Sequence, residues 1–251
     1  MSLFPSLLPG DGWEPVGGGE SATEVYRRGN IFAKCCDVSG VKELAAERDR
    51  VEWLAGTSVP GAQLLDWIEW TEGAALLTSA VSGVAAVELP WSEKLVSSFA
   101  GALRAVHSLP VEDCPFPRPL SEVIAVADDV VHRGAVNPDF LRDDWRTVAP
   151  EELLARVHAA QDEMAVDLVV CHGDACLPNF LFDPDTLECT GVIDVGRLGV
   201  ADRYTDLALV PAQLDDVWSV DASGFFAAYG LPEPDAARLE FYLLLDPLTW
   251  G

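Results

Sequence analysis

Two side chains in residues 169–180, VVCHGDACLPNF, could carry chemistry: Asp174, and Asn179 five residues later. An apolar run of strand type ends at His172-Gly173, and a strand end followed by a tight turn is where a rigid scaffold presents reactive groups. A carboxylate held there can orient a hydroxyl and take its proton. A carboxamide oxygen is a hard donor of the kind magnesium accepts. Alone, the pair is far more often the mark of a polar turn in which Asp174 caps a short helix, so the other parts of a phosphate site must come from elsewhere in the chain.

A second carboxylate stands twenty residues downstream, where the apolar run CTGVID ends at Asp194 and Val195-Gly196 follow. This order and spacing match the catalytic loop and metal-binding segment of protein kinases, with Gly173 in place of the loop Arg and Val195 in place of the Phe. Magnesium takes few protein carboxylates and completes its octahedron with phosphate oxygens and water. Asn179 with Asp194 therefore fits a metal site completed by a nucleotide. Upstream, GGGESATEVY (residues 17–26) is a glycine-rich turn whose backbone amides could cover phosphates. No Gly-Lys-Ser/Thr follows it, so it is not a Walker loop. Lys34, in IFAK on the next strand, could reach phosphates if paired with a helix carboxylate, either Glu47 or Glu43 one turn earlier. A strand lysine more often points to solvent.

The elements that would position these groups change character along the chain. Residues 13–37 alternate in a β manner around the turn triplet Arg28-Gly29-Asn30, and residues 42–54 form an amphipathic helix with Leu44, Val51 and Leu54 on one face. QLLDWIEWTEGAALLTSAV follows as a second hairpin around Glu72-Gly73. Beyond Ser82-Gly83 come three helical stretches, then the short strands DLVVCH, NFLFD and CTGVID, then a helical C-terminal part through ARLEFYLLLDPL. Strands followed by helices predict an α+β protein of two lobes: a small β-rich lobe over residues 1–82 and a larger, mainly helical lobe over 83–251.

Composition narrows the partners. Sixteen Lys and Arg against 41 Asp and Glu leave a net charge of −25 in 251 residues. Such a surface repels nucleic acid and anionic membranes and favours a cationic partner. Six cysteines without C-x-x-C spacing and four scattered His argue against a zinc site and for reduced thiols in the cytoplasm. The N-terminal residues show no basic region followed by an apolar run, and no stretch is apolar for long enough to span a bilayer. A monomer is expected.

HGDACLPN together with GVIDVGRLGVADRYTDLAL resembles the aminoglycoside phosphotransferases, which share the protein-kinase fold. AERDRVEWL, VVHRGAVNPDFL and LLLDPLTWG look most like the streptomycin 3''-phosphotransferases among them. The resemblance implies ATP and Mg²⁺ as cofactors and a cationic aminoglycoside, streptomycin, as substrate. It makes Asp174 the catalytic base and Asn179 and Asp194 the metal ligands. It also makes Lys34 and Glu47 the phosphate pair, Ser21 the tip of the nucleotide loop, and Ser79 and Val81 the source of backbone groups for adenine. Arg197, Asp202, Arg203 and Asp206 look like the segment that braces the centre, and His172 like a support of the loop. Asp215, Asp216, Asp246 and the carboxylate of Gly251 are the candidates for holding the substrate's cations. Three other readings remain: a kinase of the same fold acting on another aminoglycoside or a small hydroxylated metabolite, a catalytically dead kinase-like binding module, and an acidic structural or interaction protein.

Overall fold

The computed structural model describes residues 4–17 and 23–251. Along the chain run α1 (Phe4–Leu7), β1 (Glu14–Val16), β2 (Glu24–Arg28), β3 (Ile31–Asp37), α2 (Val41–Leu54), β4 (Leu64–Trp70), β5 (Gly73–Ser79) and β6 (Val84–Ala85). Then come α3 (Glu93–His107), α4 (Leu120–His132), α5 (Pro150–Ala160), β7 (Leu168–Cys171), β8 (Phe180–Phe182), β9 (Cys189–Val192) and β10 (Gly199–Asp202). The helices α6 (Tyr204–Leu207), α7 (Val210–Trp218), α8 (Ser223–Tyr229) and α9 (Ala236–Leu245) complete the chain. No helix among the described residues is long and apolar enough to cross a membrane.

Two compact units result: Met1–Pro90 with Leu177–Arg197, and Trp91–Cys176 with Leu198–Gly251. The first is built on a five-stranded antiparallel sheet in the order β1-β2-β3-β5-β4. The β2–β3 turn needs a left-handed residue, and Gly29 supplies it at φ +59°. Period-2 alternation then sorts β3. Ala33 and Cys35 face a core with Tyr26, Ala75 and Leu77, while Cys36 packs with Leu44 of α2, Ala74 and Leu76. Lys34 shares the parity of Cys36 and so points to the α2 side.

Strands β6, β8 and β9 form a three-stranded antiparallel sheet of the same unit, and Val192 bridges Gly61. Pairing, rather than position along the chain, thus places Leu177–Arg197 with the residues before Pro90. A division read from composition between residues 82 and 83 has no means of seeing this excursion.

The second unit is mainly helical. Ser92 caps α3 by accepting from the Leu95 N–H, and the buried face of α3 meets α8, with the Phe99 and Phe225 rings 5.2 Å apart. Helices α4, α5 and α9 share a second core that includes Ile124, Val131, Leu153, Val157, Phe241 and Leu245. Strands β7 and β10 pair antiparallel, Gly199 opposite Cys171. Sequence periodicity does not single out β10 or the helices α6 to α8. Each spans nine residues or fewer, too short for a periodic pattern to stand out.

A close approach makes one glycine of the first sheet irreplaceable. A Cβ on Gly73 would lie 2.1 Å from the Cys36 carbonyl oxygen. Gly73→Ala is expected to cost about 2–3 kcal/mol through forced displacement of β3. Urea unfolding of the variant checks this, and an unchanged midpoint would refute it.

Candidate active site

In the first unit, the alternation of β3 delivers the Lys34 ammonium to two carboxylates. Its Nζ donates to Glu47 Oε1 at 3.0 Å and Oε2 at 2.8 Å, and to Asp194 Oδ1 at 2.9 Å. Glu47 lies in the middle of α2, and its carboxylate closes on Lys34 from there. Glu43, the competing choice, has no part in this ion pair. Burial works against the Lys34 charge, but Glu47 and Asp194 outweigh it, so its pKa is raised and the amine stays protonated.

Asp194 stands just past the end of β9 at φ +58°, a left-handed conformation that costs a non-glycine residue energy and clusters at functional sites. The Ile193 N–H donates to the Asn179 carbonyl at 3.0 Å, one step beyond the Phe180–Val192 pair of the β8–β9 ladder. That bond sets the two expected metal ligands on adjacent backbone. Asn179 is buried, whereas the Asp194 side chain is half exposed. A carboxylate and a carboxamide on neighbouring segments form a hard-oxygen set that fits magnesium.

A cavity of about 220 Å³ opens beside this group. Val25, Phe32, Val51, Leu76 and Leu181 give it apolar walls, and Lys34, Glu47 and Asp194 form its polar end. Ser79 and Val81 line it too. The Ser79 N–H is engaged by Gln63 O at 2.9 Å, and the Ala80 N–H by Asn30 O at 2.8 Å. Among the described residues, no hydrogen bond engages the Val81 N–H, which lies at the cavity. Ser21 lies outside the described residues.

In the second unit, Asp174 follows β7 on a loop held mainly through its backbone. Gly173 takes φ +84°, and the His172 and Gly173 N–H groups donate to the Asp206 carboxylate at 2.7 and 2.8 Å. His172 is fully buried, and its Nδ1 accepts from the Asp174 N–H at 3.3 Å. Asp206 is itself inaccessible and is met by His107 Nε2 at 2.9 Å, while His107 Nδ1 meets the Tyr229 hydroxyl at 2.7 Å. Asp202, also buried, takes two bonds from Arg238, at 2.7 and 2.5 Å, and one each from the Tyr204 and Asp167 N–H groups. Asp206 thus holds the backbone of the Asp174 loop, while Asp202 ties the Arg238 side chain to the backbone at residues 167 and 204. Sequence reasoning missed His107, Tyr229 and Arg238, three partners that lie far from the motif in sequence.

The proposed substrate carboxylates fall in different settings. Asp215 and Asp216 are exposed on α7, whose Gln213 donates to the Ala175 carbonyl beside Asp174 at 3.3 Å. Asp216 is three residues beyond Gln213 and shares its helix face; Asp215 lies off it. Asp246 is partly buried, accepts from the Trp250 indole at 3.2 Å, and helps to push the Cys176 thiol pKa up, after burial and Asp174. Phe140 meets Trp250 edge to face with centroids 6.3 Å apart, so the AVNPDF and LDPLTWG segments pack together. Gly251 sits against Val130 and Ala135, and among the described residues no hydrogen bond joins it to the Asp174 loop.

A strand lysine locked to a helix glutamate and turned onto an aspartate at a strand end, on an antiparallel sheet joined to a helical unit, is the architecture of a protein-kinase-like phosphotransferase. Residues 12–242 match the phosphotransferase enzyme family, and the chain belongs to that family. It is 46% identical to a streptomycin 3''-kinase of Streptomyces griseus, over 100% of this chain and 97% of that one. It is 38% identical to an aminoglycoside 3'-phosphotransferase of Streptomyces fradiae, over 98% of each. The aminoglycoside phosphotransferase APH(3'')-Id of Streptomyces rimosus, solved in complex with ADP and streptomycin, superposes with a TM-score of 0.85 at 46% identity, covering 95% of this chain and 93% of that one.

The Asp206 network predicts a pH dependence. Burial alone would raise the Asp206 carboxyl pKa, but the bond and charge of His107, His172 and the Gly173 N–H outweigh it, and the net shift is downward. A carboxylate whose pKa is depressed on folding contributes stability above its unfolded value, about 3.9, and loses it as pH falls through the lowered folded value. Asp206→Asn should lose about 3 kcal/mol at neutral pH, the scale of breaking a buried pair. Below pH of about 4 its stability should fall less steeply than that of the parent. Urea titrations from pH 7 to 3 test both, and superimposable curves would refute the assignment.

Proposed function

We propose that this protein transfers the γ-phosphoryl group of ATP to the 3''-hydroxyl of streptomycin and thereby inactivates a cationic antibiotic. The observation that carries this reading is the Lys34–Glu47–Asp194 cluster at the polar end of an apolar cavity. It sits in a chain that is similar from end to end to a streptomycin 3''-kinase. Adenine would enter the apolar part, with main-chain groups of Ser79 and Val81 at its edge. Lys34, held charged and oriented by Glu47, would bind the α- and β-phosphates.

Magnesium, when bound, neutralises charge across the phosphates, and Asp194 and Asn179 would hold it. Asp174 would orient the 3''-hydroxyl and accept its proton as the sugar oxygen bonds to the γ-phosphorus and the bond to the leaving ADP oxygen breaks. Such transfer needs alignment and charge neutralisation more than covalent help. The backbone bonds from residues 172 and 173 to Asp206 hold the Asp174 loop fixed without engaging its carboxylate.

Streptomycin carries two guanidinium groups and an amine, and a net charge of −25 raises the local concentration of such a polycation. Asp246, oriented by Trp250, and Asp216, on the Gln213 face of α7, are the stronger candidates for contacting it; Asp215 and Gly251 have less to support them. We place the activity in the cytoplasm, in a monomer, with no role for nucleic acid or membrane.

Streptomycin with ATP should give a product whose phosphate, located by NMR and mass spectrometry, is on the 3''-oxygen. Kanamycin should turn over poorly, because a hydrogen-bonded site leaves unmatched buried groups with the wrong ligand. Asp174→Asn should lower kcat by about 100-fold or more while leaving folding intact. Faster turnover of kanamycin would sink the substrate, and an active Asp174→Asn would sink the base.

Asp194→Ala should abolish the rise in melting temperature that Mg-ATP gives the parent protein. One carboxylate is a large share of so small a ligand set, and stabilisation follows ligand affinity. A parent-like shift in that variant would contradict the metal site.

A further inference from the structure

The motif around Asp174 contains one side chain that the proposed mechanism leaves unused, Cys176. Its backbone N–H donates to the Asp174 carbonyl at 2.8 Å, and its Sγ lies 3.0 Å from Asp174 Oδ1. The same residue therefore grips the expected base at two points, once through the main chain and once through the side chain. The grip is itself anchored: Ala175, between the two, is buried, and its carbonyl accepts from Gln213 Nε2 at 3.3 Å. Gln213 is in turn tied to the Leu209 carbonyl at 3.0 Å.

We propose that Cys176 is a positioning residue, whose thiol donates to Asp174 Oδ1 and fixes the rotamer in which the carboxylate meets the substrate hydroxyl. Burial, and then Asp174, push the Cys176 pKa up, so the group is the neutral thiol that such a bond requires and not a nucleophile. A thiol is a weak donor. It can fix the rotamer of a base while taking little from its basicity, whereas a strong charge-assisted donor would stabilise the carboxylate and blunt it.

The inference rests on Asp174 being the base of a phosphoryl transfer. Its test is therefore run on whichever aminoglycoside the parent enzyme turns over. A parent inactive on streptomycin but active on another aminoglycoside would count against the substrate alone. Single-turnover rates, KM values and melting temperatures are compared for the parent, Cys176→Ala and Cys176→Ser. Loss of the donor should slow Cys176→Ala by about 10-fold, the scale of a misaligned reacting group, with KM for ATP and for the aminoglycoside within about 2-fold of the parent. Cys176→Ser keeps a donor at the same place and should recover to within about 3-fold of the parent rate.

An alanine variant as fast as the parent would overturn the proposal. So would a serine variant as slow as alanine, or losses that appear in KM and melting temperature but not in the single-turnover rate. If the alanine variant does not fold, the serine variant decides alone: a folded serine enzyme slowed by about 10-fold or more overturns the proposal.

Discussion

A lysine keeps its charge beside an apolar cavity only if carboxylates are brought to it, and the first unit is organised around that requirement. Lys34 is largely shielded from water, with Glu47 and Asp194 within 3.0 Å of its ammonium. Each partner depends on a different element. Strand alternation turns Lys34 towards α2, helix packing through Leu44, Val51 and Leu54 fixes the distance to Glu47, and the β8–β9 ladder ends where Asp194 must stand. The left-handed backbone of Asp194 is a local cost that the surrounding pairing holds in place.

The second unit solves the converse problem, a carboxylate with no access to water. Asp206 keeps its charge because two backbone N–H groups and His107 satisfy it, and the same bonds fix the shape of the loop that presents Asp174. Asp202, four residues earlier at the end of β10, is satisfied in a similar way with Arg238. Both buried acids lie within GVADRYTDLAL, which explains why that segment carries so many polar residues and yet packs inside. Fold stability and the geometry of the loop are thus set by the same hydrogen bonds.

How much of this could be read from the sequence differs between short-range and long-range features. The α2 helix, the hairpins around residues 29 and 72, and the order of Asp174, Asn179 and Asp194 follow from turn chemistry, periodicity and spacing, all local properties. The family and the α+β, kinase-like fold were legible from the same motifs. Glu47 and Glu43 stayed open as partners of Lys34, because one helical turn separates them and only the packing of α2 decides. His107, Tyr229 and Arg238 were invisible for a related reason. Each acts across a sequence separation of 26 residues or more, and a single His or Arg on a helix carries no mark of its partner. The packing of Leu177–Arg197 with the first unit has the same origin, since strand partners are not written in the strand.

Charge poses the last question, because a chain with a net charge of −25 must bind a polyanion if it is to use ATP as proposed. Long-range repulsion does not forbid this. At an ionic strength of 0.1 M, charges more than about 10 Å apart are largely screened, so a phosphate group feels its immediate neighbours. Those neighbours can be few: one ammonium, held protonated by two carboxylates, with backbone amides and a divalent ion able to supply the rest. Placing a carboxylate on each side of Lys34 has a further consequence. With no nucleotide, Asp194 shares the Lys34 ammonium with Glu47; with one bound, Lys34 would be placed to pair with phosphate and Asp194 to hold the metal. One ammonium against two carboxylates leaves this cluster one net negative charge, so a polyanion there would depend on the divalent ion and on backbone amides. Screening of the distant acidic surface, with local cations at the phosphates, would let one small chain bind two reactants of opposite charge.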